Sequence, residues 1–103
     1  MELLIITAII EFEEAIKIIL KDANVISFSA MPVAGYHNNG NEDMKSNWFA
    51  RDKGESRSML FYAFLENDNS KIVLDKIEKF NQTNEVQTKI HAAVLDIKES
   101  NLI

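Results

Sequence analysis

The chain predicts an α+β sandwich, with one four-stranded antiparallel sheet backed by two helices. Three observations carry that prediction. Strand-length apolar runs alternate with helically spaced ones in the order β-α-β-loop-β-α-β. The two richest runs, Leu3 to Ile10 and Arg57 to Leu65, are apolar on both faces. Finally, 103 residues suffice for one core and are too few for two ordinary ones, so residues 1–103 are read as a single domain.

Leu3 to Ile10 is almost continuously apolar, rich in β-branched residues and shorter than a typical helix, which marks a central strand. Phe12, Ala15, Ile16, Ile19, Leu20 and Ala23 then recur at helical spacing, with Glu13, Glu14, Lys17 and Lys21 on the polar side. This predicts a helix from about Glu11 to Asp22, carrying a structural i,i+4 pair between Glu13 and Lys17. Val25 to Val33 alternates as a second strand, and Pro32, which cannot donate to a ladder, puts that strand outermost.

Gly35 to Ser56 breaks the pattern. It holds all three glycines, the aromatic residues Tyr36 and Trp48, and seven charged side chains, with no core periodicity. So long a connection in a small domain is expected to be functional, and a short helix around Asp43 to Phe49 is expected to tether it.

Arg57 to Leu65 reads as the third strand, with Met59, Phe61, Ala63 and Leu65 on one face and Leu60, Tyr62 and Phe64 on the other. Asn67, Asp68, Asn69 and Ser70 offer caps for a second helix from about Lys71 to Phe80 or Asn81, packed through Ile72, Val73, Ile77 and Phe80. Val86 to Ile97 reads as the fourth strand, with Ile90, Ala92 and Val94 opposite His91, Ala93 and Leu95.

The resulting βαββαβ order is the ferredoxin-like pattern, with a long β2-β3 loop and with strands one and three at the centre of the sheet. Two helices cover only one face of such a sheet. The other face is then exposed apolar surface of the kind that marks a partner, and further copies of the chain in a closed homo-oligomer are the economical cover.

Composition narrows the function classes. Eleven Lys and Arg against 16 Asp and Glu leave a net charge of −5, unsuited to coating nucleic acid, whose nonspecific binding draws on clustered positive charge. Arg57, Phe61 and Phe64 echo a basic and aromatic RNA-binding strand only faintly. Cysteine is absent, which excludes disulfides, thiolate metal sites and cysteine nucleophiles. The apolar start carries Glu2 in place of a basic leader and is too short to span a bilayer, so neither a signal peptide nor direct membrane insertion is expected, and the cytoplasm is the expected address.

Few residues point to chemistry. No Walker loop, dinucleotide fingerprint, HExxH pattern or nucleophile elbow occurs, and an acylphosphatase-like activity lacks its arginine after strand one, where Glu11 stands. No enzyme is expected. His37 with Glu42 and Asp43 forms a candidate divalent-cation set within the long loop. Tyr36, Trp48 and Phe49 are candidates for docking a protein partner. His91 reads first as a hydrogen-bonded histidine on an edge strand, able to meet a ligand at a subunit boundary.

Two short segments resemble the PII-like signalling proteins. Val33, Ala34, Gly35 and Tyr36 are similar to that family's hydrophobic-x-Gly-aromatic approach to its T-loop, and Thr88, Lys89, Ile90 and His91 to the start of its last strand. The resemblance implies a homotrimer, with adenine nucleotides held in clefts between subunits. It assigns Gly35 and Tyr36 to the loop base and Lys89 to a ligand phosphate, with His91 kept as a ligand-binding candidate, and it makes residues 35–56 a T-loop-like segment. This chain has no glycine between Asn81 and Thr88 and ends in Ser100, Asn101, Leu102 and Ile103 without arginine, so a divergent sensor is implied. The alternatives are a constitutive protein-interaction module and a CutA-like metal-associated protein.

Overall fold

A computed structural model describes residues 1–36, 55–66, 69–84 and 88–101. The strands are β1 (Glu2–Ile9), β2 (Ser29–Tyr36), β3 (Glu55–Leu65) and β4 (His91–Asp96). The helices are α1 (Glu13–Asp22), entered through a 3₁₀ turn at Ile10–Phe12, and α2 (Asn69–Thr83). The sheet is antiparallel throughout, in the order β2-β3-β1-β4. This is the expected ferredoxin-like arrangement, with the first and third strands central and the proline-bearing second strand at an edge.

The core follows the alternation of the central strands. Leu4, Ile6 and Ala8 of β1 and Met59, Phe61, Ala63 and Leu65 of β3 are buried with Phe12, Ile16, Ile19, Leu20, Val73 and Ile77. Ala92 and Val94 of β4 pack against this cluster. Neither edge strand is as well covered: Gly35 is the buried residue of β2, and β4 alternates between half-buried and exposed.

The helices are tied at both ends. Ala23 closes α1, Asn24 takes the left-handed conformation at φ 65°, and the amides of Asn24 and Val25 return to the carbonyls of Lys21 at 3.0 Å and Leu20 at 2.9 Å. This is a Schellman termination with asparagine in the position glycine usually takes, and buried Val25 completes it against buried Leu20. Asn69 Nδ2 then donates to the Ala23 carbonyl at 2.8 Å, joining the start of α2 to the end of α1. At the opposite end the Phe12 and Phe80 rings meet edge to face, with centroids 5.2 Å apart. The helices are therefore antiparallel neighbours.

Several boundaries differ from expectation, each for a local reason. Val25 to Phe28 do not belong to β2, because Val25 is spent on terminating α1; the strand starts four residues later, at Ser29, and Ile26 is left 92% exposed. Pairing runs further at the other end, where Gly35 opposes Ser56 and Tyr36 opposes Glu55, so the ends of the expected 35–56 loop are strand. Asn69 does not wait outside α2 as a cap but opens the helix and bonds α1. Ser70 donates to Glu2 at 2.6 Å, tying α2 to the start of β1. The last strand is shorter than Val86 to Ile97, with Lys89 and Ile90 ahead of it.

On α1 the expected pair forms. Lys17 lies 3.3 Å from Glu13 and 3.5 Å from Glu14, and the hydrogen bond to Glu13, helped by the Glu14 charge, holds its ammonium above the ordinary lysine range. The contribution is complete below the unfolded-state lysine pKa and is lost as pH rises through the raised value. Solvent exposure keeps it small.

Burial separates the consequences of two truncations. Phe61→Ala empties the centre of the core and is expected to cost about 3–5 kcal/mol in urea unfolding, whereas Ile26→Ala stays within about 0.5 kcal/mol. Equal losses would contradict the placement of either residue.

Candidate functional site

The registers lay out the sheet face that the helices leave open. Read from β3 through β1 to β4, its first row is Phe64, Leu3 and Leu95. The next row is Ser29, Tyr62, Ile5 and Ala93, followed by Met31, Leu60, Thr7 and His91, and then by Val33, Ser58 and Ile9. Phe64 is 52% exposed, Leu95 47% and Met31 40%, while the Tyr62 and Phe64 rings stack edge to face at 6.2 Å. The face is apolar at one end and takes on Thr7, His91 and Ser58 toward the other.

That other end carries the four singled-out residues that lie among the described ones. The ends of β1 and β2 and the beginnings of β3 and β4 all lie there. Gly35 is buried and Tyr36 is 59% exposed at the tip of β2. Lys89 and His91, both exposed, stand at the start of β4. The two pairs therefore share an end of the sheet but sit on opposite edges, separated by β3 and β1, or about 14 Å at ordinary strand spacing. One chain does not bring them together.

Around Lys89 the local geometry is well defined. Its ammonium donates to the Asn81 carbonyl in the last turn of α2 at 3.2 Å. The Asn81 side chain makes two further bonds: Nδ2 donates to the Ile90 carbonyl and Oδ1 accepts from the Ile90 amide, each at 2.9 Å. The sequence reading missed this residue, since no periodicity marks an asparagine near a helix end as the partner of a strand eight or nine positions on. Ser58 was missed too. It is buried, and no hydrogen-bond partner among the described residues reaches its hydroxyl.

His37, Glu42, Asp43, Trp48 and Phe49 lie outside the described residues. Among the described residues no group of three or more metal-ligating side chains is placed to hold an ion, and no helix is long and apolar enough to cross a membrane. Two open grooves of about 360 Å³ each lie at the far end of the sheet, one lined by Ser27, Phe28, Ser29 and Tyr62 to Phe64, the other by Asn24 to Ser27, Phe64 to Glu66 and Asn69. Neither contains Gly35, Tyr36, Lys89 or His91.

Among solved structures the whole arrangement has counterparts. A nitrogen regulatory PII-like protein, CPII of Thiomonas intermedia K12, bound to ADP, AMP and bicarbonate, superimposes with a TM-score of 0.68 at 14% identity, over 99% of this chain and 94% of that one. The fold is PII-like. A DUF3240 family protein from Shewanella baltica OS155 matches over the same shares of the two chains, at a TM-score of 0.65 and 14% identity. No protein-family model and no curated protein matches the sequence. In this PII-like frame the β2-β3 connection springs from the sheet end that carries Gly35, Tyr36, Lys89 and His91.

Removing a buried hydroxyl that has no partner among the described residues should be favourable. Ser58→Ala is expected to stabilise the isolated chain by about 1 kcal/mol in chemical denaturation, within the range for burying an unsatisfied polar group. A loss of similar size would mean that the hydroxyl is bonded in solution.

Proposed function

We propose that the protein is a non-enzymatic signalling module, a homotrimer of one-domain protomers. In this reading each cleft between protomers binds an adenine nucleotide, and binding alters the T-loop-like 35–56 segment shown to a protein partner. The observation that carries it is the split of Gly35 and Tyr36 from Lys89 and His91 onto opposite edges of one sheet end. A closed ring that sets the β2 edge of one copy beside the β4 edge of the next unites the two half-sites at every boundary. The open apolar face supports the same assembly, because copies converging on it hide Leu3, Ile5, Tyr62, Phe64 and Leu95 from water.

The ligand class rests on chemistry and on one neighbour. Lys89 offers a compact positive charge for a phosphate, and Tyr36 an exposed ring for a planar base. The PII-like protein of Thiomonas intermedia is bound to ADP and AMP. No bond is broken in this scheme: ligand binding selects among arrangements of the loop, as far as its affinity for them differs. The cytoplasm is the address adopted, in keeping with a chain that has no cysteine.

Light scattering and calorimetry test the reading together. The expected result is the mass of three chains, ADP binding by the wild type, and at least about tenfold weaker binding by Lys89→Met with the trimer intact. Phe64→Glu should yield monomers that no longer bind ADP. A wild-type monomer, or a trimer indifferent to ADP and AMP, would overturn it. Partner capture through the loop that persists without change after dialysis and chelation would replace it with a constitutive interaction module.

A further inference from the structure

The start of β4 is held by a side chain acting as a strand neighbour one residue long. Asn81 satisfies both backbone groups of Ile90, with Nδ2 donating to its carbonyl and Oδ1 accepting from its amide, each at 2.9 Å. Ile90 is buried in the core, so the clamp holds the chain at a point that packing also anchors. The residue before it is Lys89, whose ammonium donates to the Asn81 backbone carbonyl at 3.2 Å. That carbonyl belongs to the last turn of α2, where helix ends concentrate negative partial charge and lysine is favoured.

We propose that Asn81 is the positioning residue of the anion site: it fixes the backbone beside Lys89 and holds the ammonium on the end of α2 until a ligand phosphate takes it. The proposal rests on the adenine-nucleotide reading above. Its physical basis is the unlike character of the three bonds. The two to Ile90 are neutral amide bonds, partly buried, and an ionised phosphate, which has no donor, cannot replace the one to the Ile90 carbonyl. The third is a single exposed bond from a charged donor to a neutral carbonyl. A phosphate oxygen is the stronger acceptor for that donor, because both partners are then charged. Lys89 can thus change partners by side-chain rotation alone, while β4 stays in register.

The test uses the full chain with ADP as probe, following the Lys89 side-chain nitrogen and the Ile90 amide by NMR alongside calorimetry. In the wild type ADP should shift the Lys89 resonance and leave the Ile90 amide as protected from exchange as before. Asn81→Asp keeps an oxygen for the Ile90 amide, gives up the donor to the Ile90 carbonyl and adds a carboxylate beside Lys89. It should therefore retain Ile90 protection and bind ADP about tenfold more weakly. Asn81→Ala should lose both protection and affinity. The positioning role is overturned if Asn81→Asp, with Ile90 still protected, binds ADP as the wild type does, or if ADP strips protection from Ile90 in the wild type. A wild type that binds no ADP defeats the nucleotide reading and this inference with it; binding by the wild type matched by Asn81→Asp defeats only the inference.

Discussion

One constraint organises this molecule: β1 and β3 are apolar on both faces, and the chain has two helices with which to cover them. The helices settle on the face that carries Leu4, Ile6, Phe61 and Ala63, and the resulting core accounts for most of the buried residues. The opposite face, with Leu3, Ile5, Tyr62 and Phe64, has no second layer among the described residues. Strands that served only this small core would alternate apolar with polar, as a one-sided antiparallel sheet does. That β1 and β3 do not is an observation on which the proposed assembly rests.

The edge strands show the same economy from the other side. Most of β2 is exposed, which places Pro32 where a missing donor costs little, and β4 starts only at His91, with Ile90 before it bonded through both backbone groups to the Asn81 side chain. The helix pair, by contrast, is anchored at each end by a specific contact: Asn69 on the Ala23 carbonyl at one, Phe12 on Phe80 at the other. The sheet end at which β1 and β2 finish and β3 and β4 begin carries Gly35, Tyr36, Lys89 and His91. Position in the fold, more than any motif, distinguishes that end.

How far the sequence could be read follows from the range of the interactions involved. The short continuous apolar run of Met59 to Leu65 and the helical spacing in Phe12 to Ala23 are local signals, and they were enough for the elements, their order and the central placement of β1 and β3. The boundaries depended on single bonds between distant residues. Val25 and Phe28 alternate as well as Ala30 does, but Val25 is taken by the end of α1, and nothing in the alternation records that. Asn69 reads as a cap by composition and serves as a strut to Ala23. The site was legible only as two short segments, Val33 to Tyr36 and Thr88 to His91. That they finish on opposite edges of one sheet end is a property of strand order, which neither segment contains.

That separation has a thermodynamic consequence for the proposed assembly. If each half-site belongs to a different protomer, a ligand that contacts both binds the assembled state and not the separated chains, so it stabilises the assembly by mass action. Linkage makes the effect reciprocal: the factor by which the ligand favours assembly is the factor by which assembly favours ligand binding. The apolar face then has a role in sensitivity as well as in solubility. A strongly self-associating face keeps the clefts formed at all concentrations, so that ligand occupancy reports the ligand alone. A weaker face would make occupancy report the concentration of the protein too. Tyr62, Phe64 and Leu95, remote from Lys89 along the sheet, would in that way set the conditions under which Lys89 meets a phosphate.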